Sequence, residues 1–416
     1  SCKKKETENT TQVTQKTSSP NANKETIIAK ELSRDDGSED STKTLFVALN
    51  PEDSGIQSEI KQDLKHPYAF FYNSGLEASG VAVGDIDNDG LPDLFLASSP
   101  SGNRLYRQGS PLKFEDVTQG SGLEKDNAWG RGASIIDIDN DGDLDIYVAN
   151  YGQENSLYIN TGKDGGTIKF VEMAKEFGLD IIDASLMPSF CDYDKDGDLD
   201  LYLITNEYRL PPNLTPPDPK KMIGKGPDGK PTLIAPYDKV FKLLVKQTPK
   251  GPMIKWDKIG RPDYLYRNNG NGTFTDTIRS AVPHTPWFSM GSDTGDINND
   301  GLIDFFATDM AATSHYREKV MMGNMDNMGW FLEFAEPRQY MRNSMYLNTG
   351  TNKMLEAAHL LGIASSDWSW SPRLEDFDGD GLLDLFVTNG VLRDSMNSDI
   401  SSMAEKKFKG GSNEWR

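Results

Sequence analysis

The sequence predicts an all-β chain built as a propeller of four-stranded blades, and three observations carry that expectation. A nine-residue acidic phrase, D-x-[DN]-x-D-G-x-x-D, recurs along the chain. Each copy runs into a short segment of large β-formers: L-F-L-A-S, I-Y-V-A-N, L-Y-L-I-T, F-F-A-T-D and L-F-V-T-N. The first two intervals between copies, Asp85 to Asp137 and Asp137 to Asp192, are about 52 and about 55 residues, which suits one four-stranded blade with generous loops.

The acidic phrase is chemically specific. Its first copy offers Asp85, Asp87, Asp89 and Asp93 at positions 1, 3, 5 and 9, with the backbone carbonyl of Leu91 at position 7. The second offers Asp137, Asp139, Asp141, Asp143 and Asp145, and the third Asp192, Asp194, Asp196, Asp198 and Asp200. The fourth offers Asp296, Asn298, Asp300, Leu302 and Asp304, and the fifth Asp376, Asp378, Asp380, Leu382 and Asp384. Hard oxygen donors at this density suit Ca²⁺, and Gly at position 6 permits a sharp turn. Without an ion these carboxylates repel one another. A lone copy would serve equally well as an Asp/Gly turn, but turn formation does not demand an acid at position 9 every time. About five calcium sites are therefore expected.

The EF-hand begins in the same way but needs a bidentate Glu at position 12 between two helices. Position 12 here is Leu96, Val148, Leu203, Ala307 and Val387, and the flanks are β-rich. The ion is expected in a β-hairpin loop.

A second phrase, N-x-φ-Y-x-N-x-G with φ apolar, alternates with the first. It stands at Asn103, Asn155, Asp263 and Asn343, and its Tyr-centred alternation ending in a turn reads as strand then turn. Each unit is then a Tyr strand, a turn, a second strand and the acid-loop hairpin. Longer gaps require insertions, at about 207–262 and about 311–342. The first is rich in Pro and Lys, and is either a solvated excursion or a binding arm over one face. The second opens H-Y-R-E-K-V-M-M, which suits a short helix, and continues into Met, Trp and Phe that belong to the core or to a contact surface.

Before the repeats, residues 3–43 are almost devoid of apolar side chains and cannot offset their ordering entropy. Such a coil spans roughly 35 Å on average. It follows Cys2, which with K-K-K-E-T-E-N looks like the start of a mature bacterial lipoprotein carrying a diacylglyceryl group; the bland alternative is an arbitrary boundary. Residues 1–43 are thus read as a lipidated disordered tether and 44–416 as the propeller. Cys191 reads as a small buried hydrophobe.

Net charge is −20 over 416 residues, which disfavours nucleic acid as a partner; five divalent ions would cancel about half of it. No apolar run is long enough to span a membrane. His66, His284, His315 and His359 stand in no zinc or catalytic spacing, and no nucleophile elbow, P-loop or dinucleotide fingerprint occurs. The sequence is read as non-enzymatic.

The two phrases together resemble the FG-GAP/VCBS repeats, blades of the integrin α-subunit type of propeller. G-V-A-V-G-D-I-D-N-D-G-L-P-D-L-F and D-W-S-W-S-P-R-L-E-D-F-D-G-D-G-L-L-D-L-F-V-T-N-G are similar to bacterial lipoproteins related to the cartilage acidic protein and UnbV/ASPIC group. The resemblance spans about Tyr68 to Asp394. It implies Ca²⁺ in each acid loop, with Asn298 as the one departure. It also implies a cell-envelope scaffold, on the outer membrane at its surface or periplasmic side, for protein adhesion or for service beside an outer-membrane nutrient transporter. The alternative is a propeller lectin that binds glycans, with Trp129, Trp256, Trp287 and Trp368 as sugar-stacking candidates against a core role. Five loops do not close a ring by themselves: either some blades lack the acid loop, or the chain is the N-terminal part of a longer protein, the reading favoured because members of that group usually continue well past the equivalent of Asn389.

Overall fold

The computed structural model describes residues 48–57, 63–69, 71, 80–98, 102–123, 128–162, 168–208, 219–249, 251–258, 261–322, 335–390, 399 and 403. Cys2, the 1–43 tether, the start of the first insertion and the Met-rich run at 323–334 lie outside them. The blades all belong to the unit Pro51–Arg416.

Blade 1 comprises strands Gly80–Gly84, Asp93–Ala97, Arg104–Ser110 and Lys113–Asp116, hydrogen-bonded in that order. Blade 2 repeats the pattern with Gly130–Ile136, Asp145–Glu154, Ser156–Asn160 and Phe170–Glu172. Blade 3 uses Ile182–Cys191, Asp200–Thr205, Tyr264–Asn268 and Phe274–Asp276, and blade 4 uses Gly291–Gly295, Asp304–Thr308, Ser344–Asn348 and Met354–Glu356. Blade 5 shows Asp367–Glu375 paired with Asp384–Asn389. The architecture is the expected all-β propeller of four-stranded blades.

The phase of the repeat differs from the sequence reading. A blade begins with the acid-loop hairpin, and the Tyr strand is its third member rather than its first: Phe95 pairs with Leu105, and Tyr147 with Leu157. The reason lies in hydrogen bonding. In blades 1 and 2 the Tyr strand follows the second strand closely and turns back on it; in blades 3 and 4 the insertions fall between these two strands, and the same antiparallel pairing still forms.

Core position follows from these strands. The second strands of blades 3 and 4 are buried throughout, as is that of blade 2 up to Tyr151; that of blade 1 is buried alternately, whereas that of blade 5 is largely exposed. The third-strand tyrosines Tyr106, Tyr158, Tyr266 and Tyr346 are all in the core. Adjacent blades meet through their first strands. A Cβ on Gly132 would lie 2.5 Å from the Leu186 carbonyl oxygen, and one on Gly291 would lie 2.3 Å from that of Trp370. The Gly at these positions lets two backbones pack side by side. Blades 2 and 3 are further joined by Tyr151 opposite Ala184.

The first insertion carries two hairpins, Ile223–Lys225 with Pro231–Leu233 and Phe241–Thr248 with Gly251–Lys258. In the second, His315–Met322 is helical.

Candidate metal centres

All five acid loops join the first strand of a blade to its second. Position 4 takes a left-handed backbone at Asn88, Asn140, Lys195 and Asn299, with Gly379 in the fifth loop. Position 6 is left-handed at Gly90, Gly142, Gly197, Gly301 and Gly381. Asn tolerates that conformation better than most side chains. Within the loop, both oxygens of the position-1 Asp accept backbone N–H groups: in loop two, Asp137 takes Asp141 N and Gly142 N, each at 3.1 Å.

Positions 1, 3 and 9 converge. Carboxylate oxygens of Asp85, Asp87 and Asp93 lie within 4.8 Å of one another, as do those of Asp137, Asp139 and Asp145, of Asp192, Asp194 and Asp200, and of Asp376, Asp378 and Asp384. In loop four Asp296 and Asp304 keep the backbone hydrogen bonds of their counterparts, with Asn298 at position 3. Position 5 stands outside these trios. Its carboxylate accepts the N–H of position 7, as Asp89 does from Leu91, Asp141 from Asp143, Asp196 from Asp198, Asp300 from Leu302 and Asp380 from Leu382.

Position 9 carries a structural duty that the sequence did not suggest. Asp145 accepts Ile138 N at 3.1 Å from its own loop and Asn160 N at 2.8 Å from the third strand. Asp93, Asp200 and Asp304 do the same with Ile86 and Gln108, with Tyr193 and Asn268, and with Ile297 and Asn348. Asp384 accepts Phe377 N. The backbone N–H of the phrase's final residue thus docks on the acid loop, as that of Gln108 does in blade 1, while the Asn side chain ties the turn that follows: Asn160 and Asn348 accept Gly162 N and Gly350 N. That side chain also reaches the preceding blade: Asn160 Nδ2 donates to the Ile86 carbonyl, and Asn348 Nδ2 to that of Tyr193.

The loops also contact one another. Asn88 Nδ2 donates to Asp143 Oδ1 of the next loop at 3.1 Å, and Asn140 Nδ2 to Asp198 Oδ1 at 2.8 Å. Asn299 Nδ2 approaches the Gly381 carbonyl at 3.4 Å. Between loops three and four the same role falls to Lys195, whose Nζ lies 3.4 Å from the point a Cβ on Gly301 would occupy. The recurring Asn at position 4 was the available signal.

Electrostatics show the cost of gathering these acids. Burial, then the neighbouring position-5 carboxylate, pushes Asp87, Asp139 and Asp194 above the usual carboxylate range. Burial, with the carboxylates at positions 3 and 5 beside it, outweighs two backbone hydrogen bonds at Asp145 and Asp200, each pushed up to about 7. A bound cation reverses this logic. The donor set fits one. Asp87 has 9% of its side chain exposed and belongs to the converging trio; the Asp89 backbone N–H acts on its carboxylate, yet its Oδ1 stays buried without a well-formed hydrogen bond. A carboxylate oxygen so placed among other hard oxygens is what a calcium site offers.

Of the sugar-stacking candidates, Trp129, Trp287 and Trp368 are 0%, 3% and 9% exposed, and so belong to the core. Trp129 packs edge-on against Tyr68. The side chain of Trp256 is outside the described set. Cys191 is a free thiol, half-buried, that burial pushes well up.

Blades of this kind, each with an acid loop in its first hairpin, define a repeat β-propeller. The FG-GAP-like repeat matches residues 85–148, 137–203, 257–307 and 332–387, and the chain belongs to that family. It is 25% identical to mouse cartilage acidic protein 1 over 422 aligned positions, covering 89% of this chain and 56% of that protein. The Xenopus tropicalis protein of the same name is 26% identical over 133 residues, 32% of this chain and 20% of its own. The chain thus spans about half the length, or less, of these curated relatives. Among solved structures, an Agrocybe aegerita lectin described as recognising non-reducing terminal N-acetylglucosamine matches with TM-score 0.28 at 14% identity over 67% of this chain and 65% of its own. The V. cholerae biofilm matrix protein Bap1 matches with TM-score 0.29 at 10% identity over 76% and 66%.

Proposed function

We propose that this chain is a calcium-stabilised scaffold that presents a binding surface to a protein partner at a cell envelope, tethered through a lipid on Cys2. The observation that carries the calcium reading is the Oδ1 of Asp87, buried without a well-formed hydrogen bond within a trio of acids whose pattern recurs around the blades. Positions 1, 3 and 9 of each loop would hold the ion, and its charge would offset the repulsion between their carboxylates. The loop would then keep its turn, and position 9 would keep the third strand docked. Blade order, and with it the surface of the connecting segments, would follow from calcium supply.

The partner class comes from the family: FG-GAP repeats support a protein-binding or adhesive role, and the lipoprotein-like N-terminus suggests an envelope location. The test is capture of the tagged, lipidated chain from detergent-solubilised membranes of its own host, in calcium and again in EDTA. A stoichiometric envelope protein, lost in EDTA, is the expected result. Recovery of the same partner in both conditions would remove calcium from the binding role, and recovery of none would remove the scaffold reading.

A further inference from the structure

The five loops differ in the charge they bring together. Loop two gathers five acids, Asp137, Asp139, Asp141, Asp143 and Asp145, and among the described residues no basic side chain pairs with them. The third-strand residue beside it is Ile159. In blade 1 the corresponding residue is Arg107, whose Nη1 stands 3.8 Å from Asp87 Oδ2. In blade 3 it is Arg267, which acts on Asp194.

Loop four is the opposite case. It has three acids, because Asn298 replaces the position-3 carboxylate and Leu302 fills position 7. The Asn298 amide donates to Asp300 Oδ2 at 3.0 Å, so it supplies a positive dipole where the other loops supply a charge. Lys195 then brings an ammonium over Gly301 from the preceding loop, at the place where the other loop pairs use an Asn. Calcium affinity in oxygen sites follows the number of charged ligands and the rigidity that holds them.

We propose that the loops fill in a fixed order, loop two first and loop four last, with Lys195 and Asn298 setting the weak site. This rests on the reading of the loops as calcium sites. Both residues weaken loop four by the same means, a loss of net negative charge at the site. The gap from the strong sites is on the order of tenfold to a hundredfold in affinity, since ligand charge and rigidity together move oxygen sites by decades. The chain would then keep its other loops loaded while loop four responds to changes in calcium, with Lys195 linking that response to loop three.

The test is a calorimetric titration of Ca²⁺ into the chelator-stripped chain. The wild type is expected to show a tight phase and a separate weak phase. In Lys195→Asn with Asn298→Asp, which installs the residues found elsewhere in the repeat, the weak phase should tighten by about tenfold or more, with the ion count unchanged. Lys195→Gln alone, outside the ligand set, should move it the same way by less. Asp139→Asn should transfer one ion from the tight phase to the weak one. Equal sites in the wild type, or a weak phase unmoved by either Lys195 variant, would overturn the ranking and leave the calcium reading standing. Absence of any calcium uptake would remove both.

Discussion

The two ends of the blades treat carboxylates in opposite ways. At the acid-loop end they are gathered three at a time within 4.8 Å. At the far end they are buried singly, each with its own donors. Asp263 accepts Thr205 N at 2.9 Å, Tyr202 OH at 2.8 Å and the Ser289 hydroxyl. Asp309 takes the backbone N–H groups of Trp287, Phe288 and Met310, and Asp183 takes Arg261 and the Tyr264 hydroxyl. These far-end carboxylates are satisfied by the protein alone. The loop end instead buries an oxygen of Asp87 without a well-formed hydrogen bond, which is where the proposed ion would act.

The largest expected effect comes from chelation. Ions bound only by the folded chain stabilise it by mass action, several kcal/mol when sites are far above saturation. A thermal melt in EDTA should therefore fall well below one in calcium and recover when calcium is restored. Far-end substitutions should not abolish that difference.

Next is Asp145→Ala. It strips the acceptor from Ile138 N and Asn160 N in a buried place. Two unsatisfied N–H groups cost on the order of 2–6 kcal/mol. Chemical denaturation should show that loss even in EDTA, because the role is structural as well as ligating. Asp141→Ala, at position 5, should cost much less.

The far end is tested by pH. Burial pushes Asp263 and Asp309 up to about 7. The folded chain thus holds protons that the unfolded chain releases near the usual carboxylate value of about 4. Their contribution to stability is full below that value and is lost as pH rises through about 7. Asp263→Asn should flatten this part of the pH–stability curve. The amide is already used at the equivalent place in blade 2, where Asn155 Nδ2 donates to Tyr147 OH at 2.9 Å. A slope unchanged in the variant would contradict the assignment.

The smallest effect is Asn140→Gly, which removes the exposed side-chain bonds from loop two to loop three and keeps the left-handed backbone allowed. About 0.5–1 kcal/mol is expected in a denaturation curve.

The same comparison explains what the sequence could reveal. The loop end was legible because its acids are neighbours in the chain, so spacing alone brings Asp137, Asp139 and Asp145 together. The role of position 9 was not, because its second donor, Asn160, lies on another strand. The phase of the blade was hidden for the same reason: strand order is set by pairings such as Ile146 with Tyr158, which no local pattern displays. At the far end Asp263 was visible as a departure from Asn at the head of the Tyr phrase. Its meaning depended on Tyr202 and Ser289, which come from the preceding strand and the next blade. Asp183 and Asp309 stand in no phrase.

The most direct measurement of the central claim is a count of calcium per chain by equilibrium dialysis at millimolar free calcium, on protein first stripped with chelator and shown to be folded. The expected result is several ions per chain, falling by one in Asp85→Asn with Asp87→Asn. A folded chain that retains no calcium would contradict the account.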